Sequence, residues 1–271
     1  MSLIFAKYLL LNEGKKINKK DLINEKFECD IFINEKKFPD NPNIKLKDVN
    51  RITYLFKKNY TDLSNMFENC TSLVYIDLSN FSMINVIDIS YMFYNCENLS
   101  KIDFSNFNTN QVRSMAGLFN NCKSLISINL SSFNTHCVNN MMGMFSKCIA
   151  LTSLNLSNFS TENVTHMTGM FHGCRSLIKL DLSNFDTSKV SFMKGMFYDC
   201  YSLTELDLSN FNCNKINSNN EMEKMFYGCK YLKKDAIKYQ DEKINMLFYF
   251  IFLFLNLYYI KDYKSNNSLF I

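Results

Sequence analysis

The chain has 271 residues, of which 47% are hydrophobic, including 25 Phe and 15 Met, while 7 Gly, 2 Pro and no Trp exclude a collagen-like or Pro-rich disordered chain. Its 30 basic and 26 acidic residues leave a net charge of +4. They are spread along the length, with no basic block dense enough to track a phosphate backbone, so nucleic acid is not the expected partner.

Residues 1–43 do not repeat and are expected to form an N-terminal cap, because an end unit must cover its apolar face. The apolar run Leu3 to Leu11 is broken by Lys7, and the following Asn12-Glu13-Gly14-Lys15-Lys16 lacks the small residues of a cleavage site, so it does not read as a secretory signal. From Phe27 to Ile33 every second residue is apolar, which predicts a half-buried strand before Pro39 and Pro42.

Residues 44–235 are built from one unit, whose fullest copy is Leu177 to Cys200, LIKLDLSNFDTSKVSFMKGMFYDC. The phrase LSNF or a near variant ends at Phe81, Phe107, Phe133, Phe159, Phe185 and Phe211, a step of 26 residues (107 − 81). Cys70 to Cys200 keep that step, and Cys229 follows after 29 (229 − 200), which implies an insertion of three near Asn217 to Asn220. A period of this size means a solenoid. A worn unit precedes the full ones, with Ile52 and Leu55 in the places of Leu78 and Phe81.

The first half of each unit reads Leu-x-x-Leu-x-Leu-Ser-Asn-Phe, as in Leu203, Leu206, Leu208 and Phe211, and predicts a short strand. In the second half Val112, Met115, Leu118, Phe119 and Cys122 form the one-sided stripe of a helix, firmest around Met-Phe-x-x-Cys. Thr109, Thr135, Thr161 and Thr187 sit between the halves as turn or N-cap residues. The expected fold is therefore an α/β repeat solenoid, a leucine-rich-repeat-like curved array with one short strand and one short helix per 26-residue rung. Strands spaced about 4.8 Å apart beside helices needing about 8–10 Å would bend the array with its strands on the concave side.

The phrase L-x-x-L-x-L, followed by LDLSNFDTSKV-type sequence and a Met-Phe-x-x-Cys turn, resembles the 26-residue repeat of the BspA-like bacterial surface proteins, from Ile52 to Leu232. That resemblance implies a recognition or adhesion role and a cell-surface location. Where common leucine-rich repeats carry an Asn or Cys ladder after the third leucine, this chain has the Phe81 to Phe211 column.

Residues 236–271 form a tail with an apolar segment, Ile244 to Ile260, which as a helix would span about 25 Å against a hydrocarbon core of about 30 Å. Tyr258 and Tyr259 followed by Lys261 and Lys264 suit a membrane interface. The segment reads either as a membrane anchor or as a cap on the last unit, and the location as cytoplasmic or membrane-associated.

Little in the chain supports catalysis. His136, His166 and His172 occupy unrelated unit positions, and no phosphate loop, H-E-x-x-H or G-x-S-x-G occurs. Ser79 to Ser209 recur without a recurring base and read as turn residues. Seven of the ten cysteines share one unit position and read as packed thiols. A disulfide column would leave one of the seven unpaired, and there is no C-x-x-C, which weakens a thiol-based metal or redox protein as the alternative. No enzyme activity, cofactor or metal is expected.

The expected function is binding of a protein partner through the strand face. Between the buried leucines lies a column of constant type, Asp77, Asp103, Asn129, Asn155, Asp181 and Asp207, beside a variable column, Tyr75, Lys101, Ser127, Ser153, Lys179 and Glu205. A constant scaffold with one varied column is what recognition needs. The alternative, resting on the Ile244 to Ile260 segment, is a membrane-anchored adhesin or structural coat protein.

Overall fold

The computed structural model describes residues 2–8, 21–33, 36–37, 52–56, 58–216 and 219–246. Its strands are β1 (Ser2–Tyr8), β2 (Cys29–Ile33), β3 (Lys36–Lys37), β4 (Ile52–Phe56), β5 (Leu73–Asp77), β6 (Lys101–Asp103), β7 (Lys179–Asp181), β8 (Glu205–Leu208) and β9 (Ile237–Tyr239). One sheet has the order β3-β2-β4-β1-β5-β6 and a second the order β7-β8-β9.

Leucine alternation dictates which side of each strand half is inside. Leu73, Ile76 and Leu78, and one unit on Leu99, Ile102 and Phe104, are buried, as are Leu177, Leu180, Leu182, Leu203, Leu206 and Leu208. Neighbouring units pair in parallel with a shift of 26 residues, Ile76 against Ile102 and Leu180 against Leu206. Between these pairs the sheet opens. Among the described residues, no backbone hydrogen bond joins 127–129 or 153–155 to a neighbouring strand half.

The second half of the unit carries the continuous contact. Single bridges run Asp62 to Asp88 to Ser114 to Asn140 to His166 to Phe192, all parallel. Around them alternate amides point to the next unit: Met115, Gly117, Phe119 and Asn121 N–H groups donate to Asn140, Met142, Met144 and Ser146 at 2.7–3.0 Å. The amides between them stay within the unit, Leu118 to Met115, Asn120 to Gly117 and Cys122 to Phe119 at 3.0–3.2 Å.

This replaces the helix expected around Met-Phe-x-x-Cys with successive tight turns. The cause is a left-handed residue every fourth position: Gly117 and Asn121 have φ of 59° and 65°, and the next unit repeats this at Gly143 and Lys147, with 61° and 58°. Each such residue breaks the i→i−4 chain of a helix and turns the following peptide outward. The same stripe of apolar residues is buried, but by turns. The curvature argument loses its premise too, because the side opposite the strands is a backbone ladder, without the about 8–10 Å spacing of packed helices.

Inside, the phenyl rings of Phe67, Phe93, Phe119, Phe145, Phe171, Phe197 and Phe226 stack one per unit at 5.5–5.9 Å. Each column thiol from Cys96 onward donates to a phenylalanine carbonyl of the preceding unit, as Cys122 does to Phe93 at 3.2 Å and Cys174 to Phe145 at 3.1 Å. None of the ten cysteines is in a disulfide.

At the N-terminal end, Leu22, Ile23 and Phe27 are buried in the core, and Asn24 N–H donates to Met66 O at 2.9 Å, taking the place of a preceding unit's turn. The worn unit is not in register with the full ones. β1 lies between β4 and β5, antiparallel to both, so Ile52 pairs with Ala6 instead of standing beside Leu78. At the other end β9 adds in parallel to β8. Asp241 accepts from Cys213 N–H at 2.8 Å, Lys243 Nζ donates to Cys213 O and Ile216 O at 2.9 and 2.8 Å, and Ile244 is fully buried. Residues 242–246 are helical. The apolar segment Ile244 to Ile260 therefore begins inside the fold, and its part beyond Met246 lies outside the described residues. Among the described residues no helix is long and apolar enough to cross a membrane.

Candidate functional site

Parallel pairing without register slip sets the outward residues of neighbouring strands side by side. Tyr75 stands opposite Lys101 and Asp77 opposite Asp103; Lys179 stands opposite Glu205 and Asp181 opposite Asp207, which itself faces Lys238 of β9. The candidate face is thus brought together at both ends. In the middle, Ser127, Asn129, Ser153 and Asn155 are exposed but lie on the unpaired stretches.

The constant column has a structural assignment. Each Asp or Asn Oδ1 accepts the N–H two residues on, closing the Leu-Ser-Asn turn: Asp77 from Ser79 at 2.9 Å, Asp103 from Ser105 at 2.9 Å, Asn129 from Ser131 at 3.0 Å, Asn155 from Ser157 at 3.0 Å, Asp181 from Ser183 at 2.9 Å and Asp207 from Ser209 at 3.0 Å. Where the residue is Asp, the serine hydroxyl adds a second bond in three units, 2.6 Å at Asp77, 2.5 Å at Asp103 and a shorter one at Asp207. Asp and Asn make this turn-closing bond better than any other side chain, which explains the constancy without a ligand.

These bonds set the charges. The Ser105 hydroxyl, with its N–H, holds the Asp103 carboxyl below the usual range. Burial pushes Asp207 up, but Ser209 and Lys238 outweigh it and leave the group lowered. Lys238 is raised by its bond to Asp207, 3.0 Å away. Burial, then Asp77 and Asp103, raise the Tyr75 hydroxyl. The variable column is also engaged, Lys179 with Glu205 at 2.5 Å and Lys101 over the Tyr75 ring at 5.7 Å. Both pairs are open to water, where such contacts contribute at most about 1 kcal/mol and exchange readily for a partner's groups.

Two ladders were not read from the sequence. Thr109, Thr135, Thr161 and Thr187 are buried, and each hydroxyl donates to a carbonyl 25 residues on, to Asn134, Ser160, Asp186 and Asn212 at 2.8–3.0 Å. Three of them also accept an amide N–H of the next unit, so they link units instead of capping a helix. Asn158 Nδ2 donates to Leu130 O and Phe133 O at 3.0 and 2.8 Å, and Asn184 repeats this on Leu156 O and Phe159 O. The signal was the recurrence of Thr in four successive units, and of Asn in five of six, beside an apolar column.

No group of ligating side chains that could hold a metal occurs among the described residues. The thiols are poor ligands as folded: burial raises Cys96, Cys148 and Cys200 well above their ordinary value and Cys174 to about 12. His136 Nε2 lies 3.3 Å from Cys137 Sγ, and its Nδ1 is 2.6 Å from Asn134 Oδ1, on an exposed turn.

A comparison with curated proteins found no match. A family model matches twice in succession, over residues 61–154 and 149–252, which together take in the full units and β9. The chain accordingly belongs to the family described as Mycoplasma protein of unknown function, DUF285.

Proposed function

We propose that the protein is a leucine-rich-repeat-type solenoid whose strand face binds a protein partner, with no turnover of its own. The observation that carries this is the contrast between two neighbouring columns. Asp77, Asp103, Asn129, Asn155, Asp181 and Asp207 are committed to their own turns. Tyr75, Lys101, Ser127, Ser153, Lys179 and Glu205 differ in size and charge from unit to unit and take no part in closing them. Variation at positions that the fold does not need leaves contacts to be tuned while the scaffold stays fixed.

The test is affinity capture with the full chain and with a variant carrying Lys101→Ala, Lys179→Ala and Glu205→Ala, the recovered proteins being quantified by mass spectrometry. A partner enriched by the parent should fall by roughly tenfold or more on the variant, as for loss of interface anchors, at an unchanged melting temperature. Equal recovery on both would remove the strand face as the binding site.

A further inference from the structure

The last unit differs from the others in what it leaves on its surface. Residues 213–271 hold 9 Lys and 6 Asp or Glu, so they carry +3 of the chain's +4, against 21 basic and 20 acidic residues in 1–212 (30 − 9 and 26 − 6). Every carboxylate is in these counts, so the excess does not depend on which lysine pairs with which acid. Lys233 and Lys234 are exposed on the turn that leads into β9. With them on this unit are three large exposed side chains, Tyr227 at 59%, Tyr231 at 51% and Met246 at 59%. Tyr and Lys together suit the boundary between hydrocarbon and water, where the ring or the aliphatic stem is immersed and the hydroxyl or ammonium meets the headgroups.

The apolar stretch that follows has little left to cap. Phe226, Leu232 and Ile237 are already buried, and Ile244 closes the unit, itself fully buried, beside Lys243, whose Nζ donates to Cys213 O and Ile216 O. Leu247 to Ile260 are 14 further residues without a charge, Asn256 being the one amide among them. Only Asn245 and Met246 separate Ile244 from Leu247, a reach of about 11 Å even if fully extended. A stretch tied that closely to the fold enters a bilayer only by bringing the last unit down onto the bilayer's surface.

From this we infer that the C-terminal end of the stack rests on an anionic lipid bilayer, with Tyr227, Tyr231, Lys233 and Lys234 at the headgroups and Leu247 to Ile260 in the hydrocarbon. Apolar insertion and basic side chains act together here, since a single such signal holds a protein on a membrane only weakly. Anionic headgroups attract the lysines at short range. An uncharged stretch of this length gains nothing at a phosphate backbone, which favours a bilayer over nucleic acid as the partner of the same positive end. The strand face runs along the stack, so a partner there and a bilayer at the end do not compete.

The chain has no Trp, so a single introduced Trp reports on one site. The test floats the full chain through a density gradient with vesicles of phosphatidylcholine, alone or with about 30% phosphatidylglycerol, so that unbound or self-associated protein stays at the bottom. The anionic vesicles should bind it roughly tenfold or more tightly than the neutral ones, and less tightly as salt is added. Lys233→Glu with Lys234→Glu should weaken that binding roughly tenfold or more, and Lys233→Gln with Lys234→Gln should weaken it too if the reversal disturbs folding. Lys101→Glu with Arg113→Glu, the same charge change several units away, should shift it by less than about twofold. Tyr231→Trp fluorescence should move to the blue and be quenched by brominated lipid, whereas Ile84→Trp, at a position 63% exposed in an early unit, should do neither. Failure to float with anionic vesicles would overturn the proposal. So would equal binding to neutral vesicles, equal weakening by the two pairs of charge reversals, or the same spectral shift from both tryptophans.

Discussion

Phe171 lies between Phe145 and Phe197, with ring centres 5.9 and 5.6 Å away and nearly parallel planes, and it is fully buried. Truncation there opens a gap in the stack that turn backbones on both sides cannot close. Phe171→Ala should therefore cost about 3–5 kcal/mol in denaturant unfolding, and a variant within about 1 kcal/mol of the parent would contradict the stack as core. The thiols make a pH prediction. Burial raises Cys174 from an ordinary 9.0 to about 12, and burial with Asp241 does the same for Cys213. A raised folded pKa means the unfolded chain loses its protons first, so the stabilisation is complete below about pH 9 and is lost as pH rises toward about 12. Unfolding free energy should fall above pH 9 by about 1.4 kcal/mol per pH unit for each such thiol, and less steeply in Cys174→Ala. An unchanged slope in that variant would show that Cys174 titrates normally. The burial of these phenylalanines and cysteines was legible in their spacing. The threonine ladder was not, because each hydroxyl's partner lies 25 residues away and local sequence offers turn and cap roles first.

The turn segment is where periodicity misleads. An apolar stripe at three- and four-residue intervals suits a helix and also suits turns closed by a left-handed residue every fourth position, and the distinguishing signal is what occupies that position. One such column holds Asn65, Tyr91, Gly117, Gly143, Gly169 and Gly195, the other Asn69, Asn95, Asn121, Lys147, Gly173, Asp199 and Gly228, all at φ between 57° and 81°. Gly, Asn and Asp recurring four residues apart point to turns. Gly117 adds a packing demand, since a Cβ there would stand 2.3 Å from Cδ1 and Cε1 of Tyr91, whereas at Gly143 the nearest atom is 3.4 Å away. Gly143→Ala should cost about 1–2 kcal/mol for its backbone alone. Gly117→Ala should cost more, and the excess should vanish when Tyr91→Ala is also present, as a double-mutant cycle would show. Additive effects would mean the ring does not press on that site.

For the molecule as a whole, the two sides divide the work of holding the units together. The turn side carries an unbroken run of unit-to-unit amide bonds from Leu63 to Asp199, reinforced by the phenylalanine, cysteine and threonine columns. The strand side is paired at β5-β6 and β7-β8-β9 and open at 127–129 and 153–155, so the stack does not depend on it throughout. The repeat, its length and the positions of both strand-face columns could be read from the sequence. The antiparallel insertion of β1 between β4 and β5 could not, since residues 1–43 share no pattern with the units, and neither could the fastening of Asp241, Lys243 and Ile244 onto the last one. Native-state hydrogen exchange followed residue by residue tests the division directly. The amides of Gly143, Phe145 and Lys147 should be among the slowest to exchange, and those of Ser127, Ile128 and Asn129, with Ser153, Leu154 and Asn155, should be faster by orders of magnitude. Fast exchange along the turns with protected central strands would contradict the account.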